Sequence, residues 1–233
     1  MVKDALHIIM PVKDSLETAE QAIRAVVSSG HMLTVYDDNS EPDNAVRLDA
    51  LQAELGIRVI HIADHTDHPS PNYRWVLINA QKEALINNQH LLIIESDVLV
   101  QADTIDRLVK AIQPQVGIVA AVTKDEEGQV NFPYLYAKKE TADIVCTKRL
   151  SFCCTLLTHA FLQAYDFAEL NEHKNWYDVH ISRKSRQLGF VNILQLTNPV
   201  LHKPHSSRPW KLLKYSHPFL YYWNKLIHGR DKI

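Results

Sequence analysis

Residues 90–97 read His-Leu-Leu-Ile-Ile-Glu-Ser-Asp. Leu91, Leu92, Ile93 and Ile94 are apolar without alternation, the pattern of a strand covered on both faces inside a mainly parallel sheet. Glu95, Ser96 and Asp97 follow at its carboxyl end, where open parallel sheets place their ligand sites. If the extended backbone continues through them, Glu95 and Asp97 point to the same side. Two neighbouring carboxylates repel unless a cation joins them, and a divalent ion such as Mg²⁺ or Mn²⁺ could also hold the oxygens of a diphosphate. The competing reading is structural: Asp97 caps a turn before the next helix and Glu95 reaches solvent.

Outward from this strand, runs of strand length alternate with amphipathic stretches of helix length, which is the signature of βαβ units. Upstream, the expected order is a strand at Ala5–Met10 and a helix opened by a capping box of Asp14 and Glu17 and stopped by Gly30. A strand at Met32–Tyr36, a helix at Asn44–Leu55, a strand at Ile57–Ile62 and a helix at Arg74–Asn87 follow. Downstream come a helix at Ala102–Ile112, strands at Val116–Val122 and Phe152–Leu157, a polar loop from Lys124 to Asn131, and a helix at Tyr177–Leu188 closed by Gly189. With no Gly- or Ser-rich linker and no internal repeat, the second half completes the same domain. The expected fold is an α/β three-layer sandwich with a mainly parallel central sheet. Residues 1–205 form one domain and 206–233 a helical extension packed on it.

The chain has 233 residues and a formal net charge of −2, enough length for one core that buries roughly 70% of the unfolded surface. Ordinary apolar content and mixed charge suggest neither disorder nor an all-over basic nucleic-acid binder. No window approaches the roughly 18 to 20 apolar residues of a membrane span, and no signal-peptide core opens the chain, so a cytoplasmic location is expected. Cys146, Cys153 and Cys154 match neither a disulfide framework nor a zinc-ligand spacing and read as buried, reduced thiols.

A second acidic pair, Asp37 and Asp38, ends the strand before Asn39 and Ser40 and can accept hydrogen bonds from sugar hydroxyls or a base N–H, or else form an Asx turn. Asp178, in the first turn of its expected helix, can take the proton of an attacking hydroxyl or simply favour the helix dipole. His61, His65 and His68, interleaved with Asp64 and Asp67, read as a solvated loop rather than a metal centre. From Leu201 onward, Lys203, Arg208, Lys211, Lys214, Lys225, Arg230 and Lys232 alternate with Trp210, Tyr215, Phe219, Tyr221, Tyr222 and Trp223. Such a segment either packs as a terminal helix or seats peripherally on the anionic inner face of a membrane.

Taken in order, these motifs resemble glycosyltransferase family 2. The first strand ends Ile8-Ile9-Met10-Pro11-Val12, the second carries Asp37, Asp38 and Ser40, Asn72 and Asn79 lie seven residues apart, Glu95–Asp97 matches a D-x-D motif, and Trp176, Asp178, Ser182, Arg183, Arg186 and Gly189 follow. The resemblance implies a GT-A fold and inverting transfer of sugar from a nucleotide-sugar donor to a glycan or lipid-linked acceptor, with Mn²⁺ or Mg²⁺. It places Pro11, Asp37, Asp38, Asn72, Asn79 and Glu95 on the donor, Asp97 with His202 or His205 on the metal, and Asp178 as base. The sequence departs from the pattern in Glu95, in Arg74 and Gln81 where glycines are usual, and in Tyr177 where an acid often stands. A nucleotidyltransferase is disfavoured because Pro11-Val12-Lys13-Asp14 offers no glycine-rich phosphate loop. A non-catalytic nucleotide-sugar binder is the alternative from another class.

Overall fold

The protein is described by a computed structural model covering residues 6–173, 176–203, 219, 220, 222 and 223. Its first half alternates as the sequence leads one to expect. Strands β1 (Leu6–Val12), β2 (Thr34–Asp37), β3 (Arg58–His61) and β4 (His90–Ile94) are separated by helices α1 (Leu16–Ser28), α2 (Pro42–Leu55) and α3 (Tyr73–Ile86). The second half contributes β5 (Val98–Leu99), α4 (Thr104–Lys110), β6 (Val116–Lys124), β7 (Ile144–Val145), β8 (Cys154–Leu157), α5 (His159–Ala164), α6 (Tyr177–Gln187) and β9 (Val191–His202).

All nine strands join one sheet in the order β3-β2-β1-β4-β8-β6-β9-β5, with β7 added on β9. β1, β2, β3, β4, β6 and β9 run one way; β5, β7 and β8 run the other. The chain steps outward from β1 to β3 and then returns to the other side of β1 with β4. The crevice at the carboxyl ends of β1 and β4 is therefore a topological switch point.

Alternation along the strands divides the interior into two cores, giving three layers. Leu91 and Ile93 face a core shared with Val76, Leu77 and Ala80 of α3, Phe161 of α5 and Ile181 of α6. Leu92 and Ile94 face the other, shared with Ala19, Ile23 and Val26 of α1, Leu48 and Leu51 of α2, and Leu108 of α4. Each large apolar side chain removed from water in this way stabilises the fold by about 1.5–3 kcal/mol, which accounts for the unbroken apolar run from Leu91 to Ile94.

Two local expectations are corrected. Asp14 and Glu17 form no capping box: Ser15 occupies the N-cap of α1 with φ 48° and no side-chain cap bond. The Asp14 carboxylate instead accepts from the Glu41 N–H at 2.9 Å and from Asn44 Nδ2 at 3.2 Å, capping α2 across the loop. The second correction is β9, a strand the sequence reading passed over. Pro199 and Asn198 interrupt its apolar pattern, and the ladder with β6 indeed jumps from Ala121↔Gln195 to Thr123↔Val200. That irregularity is where a proline is tolerated inside a sheet. Its polar groups are satisfied: Thr197 donates to Asp143, and Asn198 Nδ2 donates to the Thr104 carbonyl.

Among the described residues no helix is long and apolar enough to cross a membrane. Most of the expected extension, 206–233, lies outside the described residues. Phe219, Leu220, Tyr222 and Trp223 are helical and exposed.

Candidate active site

At the end of β4 the backbone does not stay extended through the acidic motif. It closes a turn in which the Val98 N–H donates to the Glu95 carbonyl at 3.1 Å, so the two carboxylates are juxtaposed by a bend rather than by strand alternation. The turn delivers β5 antiparallel to the end of β9, with Val98 opposite His202 and Leu99 opposite Leu201. The Lys203 N–H donates to the Asp97 carbonyl at 2.9 Å, and His202 Nε2 lies 3.4 Å from Asp97 Oδ2. Both side chains are largely shielded, with 7% of His202 and 14% of Asp97 accessible.

The other side of the turn is set by β8, whose antiparallel ladder opposes Cys154 to Ile94. Just before it, the Cys153 carbonyl accepts from the Glu95 N–H at 2.9 Å, and Cys153 Sγ donates to Glu95 Oε2 at 3.2 Å. Ligand atoms of Glu95, Cys153 and His202 all lie within 4.8 Å of one another.

Burial pushes the Glu95 carboxyl up, and the Asp97 charge adds to it; the Cys153 hydrogen bond and the His202 charge oppose, while Asp178 adds a further upward contribution. For His202, burial alone would lower the imidazole, but the hydrogen bond and charge of Asp97, the charge of Glu95 and the Phe132 backbone outweigh it and raise the pKa. Oxygen, nitrogen and sulfur donors converging at this spacing are the chemistry that holds a divalent cation, so the residues fit the metal the resemblance implies. An open pocket of about 300 Å³ adjoins them, lined by Asp125, Glu126, Glu127, His202 and Lys203.

On the β2 side of the crevice the second acidic pair divides its work. Asp37 Oδ2 lies 2.8 Å from His61 Nδ1, and Oδ1 accepts from the Ser40 N–H at 3.1 Å. Asp38 accepts from Ser70 Oγ at 2.7 Å, the Asn72 N–H at 3.0 Å and Asn72 Nδ2 at 2.8 Å, which fixes the loop leading into α3. Lys13 follows β1 and donates to the Asn39 carbonyl at 2.9 Å. Pro11 sits on β1 opposite Tyr36. Asn79 is one of the motif residues the structure leaves apart, its amide donating back to the Trp75 carbonyl within α3 at 2.8 Å. The histidine-rich loop forms no ligand cluster: His61 bridges Asp37 and Asp49, and His65 lies against the Trp75 ring.

Asp178 lies in the first turn of α6, which is docked on the start of α3 by stacking of Tyr177 on Tyr73, with ring centroids 6.3 Å apart. Its Oδ2 lies 3.5 Å from Arg149 Nη1. The Arg149 guanidinium is in turn 5.3 Å from both the Phe132 and Trp176 ring centroids, a cation held by two aromatic faces beside a carboxylate. Neither Arg149 nor Cys153 was singled out from the sequence as a site residue. No local motif marks them, because the structure brings them in through the long second-half connections. His205 lies outside the described residues.

No protein-family model and no curated protein matches this chain. Solved structures do. The chain is 15% identical to a mannosyltransferase, PcManGT from Pyrobaculum calidifontis in complex with GDP-Man and Mn²⁺, with a TM-score of 0.63 over 98% of this chain and 65% of that one. S. aureus TarS (residues 1–349) is 16% identical, with a TM-score of 0.65 over 85% of this chain and 60% of that one. GalNAc-T7 with UDP, GalNAc and Mn²⁺ is 12% identical, with a TM-score of 0.59 over 85% and 43%.

The fold is GT-A. The present chain thus spans a little under two thirds of the length of PcManGT and less of the others. Within this GT-A sheet the acidic turn after β4 and His202 at the end of β9 occupy the switch-point edge.

Proposed function

We propose that the chain is a glycosyltransferase that moves a sugar from a nucleoside-diphosphate sugar to an acceptor hydroxyl by a single, inverting displacement. The observation that carries this reading is the convergence of Glu95, Asp97 and His202 at the switch point of a GT-A sheet. Solved relatives of that fold were captured with GDP-Man or UDP and with Mn²⁺.

Asp97, Glu95 and His202 would hold Mn²⁺ or Mg²⁺, which supplies charge neutralisation to the departing nucleoside diphosphate. Asp38 and Asn72, locked to one another, present a rigid rim to the nucleoside, with Pro11, Asp37 and Asn79 shaping the strands and helix behind it. Asp178 takes the proton of the acceptor hydroxyl, and Arg149 beside it fixes the carboxylate in place. Residues 206–233 contribute a basic, aromatic segment, and the exposed Phe219, Leu220, Tyr222 and Trp223 favour an acceptor that is lipid-linked at an anionic surface.

The test is calorimetric binding of UDP, GDP and dTDP with and without Mn²⁺, on the wild type and on Asp97→Ala. Metal-dependent binding of one nucleotide, lost in the variant, is expected. Transfer or donor hydrolysis abolished by Asp178→Asn with binding retained would assign the base. Binding without turnover, unaffected by Asp178→Asn, would indicate a nucleotide-sugar binder; no binding at all would remove the glycosyltransferase reading.

A further inference from the structure

Cys153 sets this cation site apart. The other two thiols lie in ordinary surroundings: Cys154 points into the apolar core beneath α1, α2 and α4, and Cys146 lies near the Tyr136 hydroxyl at 3.3 Å. Cys153 is equally buried, at 2% exposure, yet its sulfur faces the Glu95 carboxylate at 3.2 Å and lies within 4.8 Å of a His202 ring nitrogen. Its backbone is held at the site by the Glu95 N–H to Cys153 carbonyl bond and by the β4–β8 ladder that begins at Cys154.

The spacing suits a bound ion. A tetrahedral cation with sulfur at about 2.3 Å and nitrogen or oxygen at about 2.0–2.2 Å separates its ligand atoms by roughly 3.3–3.6 Å. The Cys153–Glu95 distance is 3.2 Å and a His202 ring nitrogen lies within 4.8 Å of both ligand atoms, so a common ion requires the imidazole to draw in toward the other two.

We propose that Cys153 is itself a ligand of the cation, together with Glu95 and His202, with Asp97 beside the imidazole, so that the centre favours sulfur-tolerant ions, Zn²⁺ and Co²⁺, over Mn²⁺ and Mg²⁺. The inference rests on the cation-binding part of the function proposed above. Cys153 would bind such an ion as the thiolate, its proton released to solvent, and its present hydrogen bond to Glu95 would be given up. Mg²⁺, which demands oxygen ligands in octahedral geometry, gains nothing from the sulfur, whereas Zn²⁺ and Co²⁺ do.

The full-length protein, stripped of metal and kept reduced with a phosphine, is titrated with Co²⁺ while the near-ultraviolet thiolate-to-cobalt charge-transfer absorption is followed. One equivalent should raise the band in the wild type and in a Cys146→Ser/Cys154→Ser double variant, and none should appear in Cys153→Ser. In the same variant Zn²⁺ affinity should fall at least as far as it does when an outer-shell partner is lost, roughly 10- to 100-fold, with Mg²⁺ affinity unchanged. If Cys153→Ser does not fold, X-ray absorption of the Zn²⁺-loaded wild type decides, since a sulfur shell at about 2.3 Å is required. A band that persists in Cys153→Ser, or a zinc shell of nitrogen and oxygen alone, overturns the inference. Failure of the band while Mn²⁺-dependent nucleotide binding persists overturns it and leaves the proposed function standing; failure to bind Co²⁺ or Mn²⁺, with or without nucleotide, removes both.

Discussion

Gln81→Leu should make this protein markedly easier to unfold. Gln81 lies on α3 but is only 3% exposed. Its Nε2 donates to the Leu162 carbonyl at 2.9 Å and the Tyr165 carbonyl at 2.6 Å, and its Oε1 accepts from the Phe167 N–H at 2.8 Å. One amide thus satisfies backbone groups around the end of α5 that no regular ladder reaches. Leucine preserves the volume and removes all of these bonds. Each is worth about 1 kcal/mol net, and groups left buried without a partner cost about 1–3 kcal/mol, so a loss of about 3–5 kcal/mol is expected after some water entry. At about 2–4 °C per kcal/mol for a chain of this size, the midpoint should fall by about 6–20 °C. Urea unfolding followed by far-ultraviolet circular dichroism measures the difference directly. A change below about 1 kcal/mol with an unchanged denaturant slope would show that α3 does not hold this segment in solution, and would refute the reasoning.

Gly117→Ala should destabilise by about 1–3 kcal/mol through overpacking, because an added Cβ would stand 2.5 Å from Ser185 Oγ and 2.7 Å from Phe190 Cβ. Ser185 cannot easily swing away, as its hydroxyl donates to Asn192 Oδ1 at 2.6 Å; equilibrium unfolding no weaker than the wild type would contradict this. His61 supplies a pH test. Burial lowers its pKa, but hydrogen bonds and charge from Asp49 and Asp37 outweigh burial and raise it above the ordinary value of 6.5. Its contribution is therefore fully present below that value and lost as pH rises through the folded-state pKa. The stability gap between wild type and His61→Asn should be wider at pH 6 than at pH 8, and a gap that grows with pH would reverse the assignment.

The first half of the fold was readable because β4 is apolar on both faces, short apolar runs alternate with stretches of helix length, and helices end on punctuation such as Gly30 and Gly56. The position of the acidic motif was readable too, since carboxylates directly after Leu91–Ile94 lie at the carboxyl end of a strand, but the turn that brings Glu95 and Asp97 together was not. Where the sequence misled, a polar residue had a distant partner. Asp14 looks like a cap for the helix that follows it, and nothing local reveals that Glu41 and Asn44 claim it. Pro199 looks like a strand breaker until the irregular ladder with β6 accommodates it. Arg74 and Gln81 read as departures from a glycine pattern. Arg74 in fact donates to the Leu170 and Ala168 carbonyls, so together the two tie α3 to the segment after α5. Cys153 and Arg149 reach the crevice by tertiary connection alone, and no spacing rule could have named them.

The insertion of β8 beside β4, and the arrival of β9 at the acidic turn, have a consequence for how the molecule comes into being. The Cys153 side chain meets Glu95 across 58 positions of chain, and His202 meets Asp97 from still farther away. An unfolded chain must close both large loops before these donors can act together, so it offers an ion only scattered, weak ligands. A cation that recognises the assembled set therefore discriminates between conformational states and adds RT ln(1 + [ion]/Kd) to the stability of the native one. Metal supply would then govern how much of the chain survives in the folded state, before any sugar is transferred.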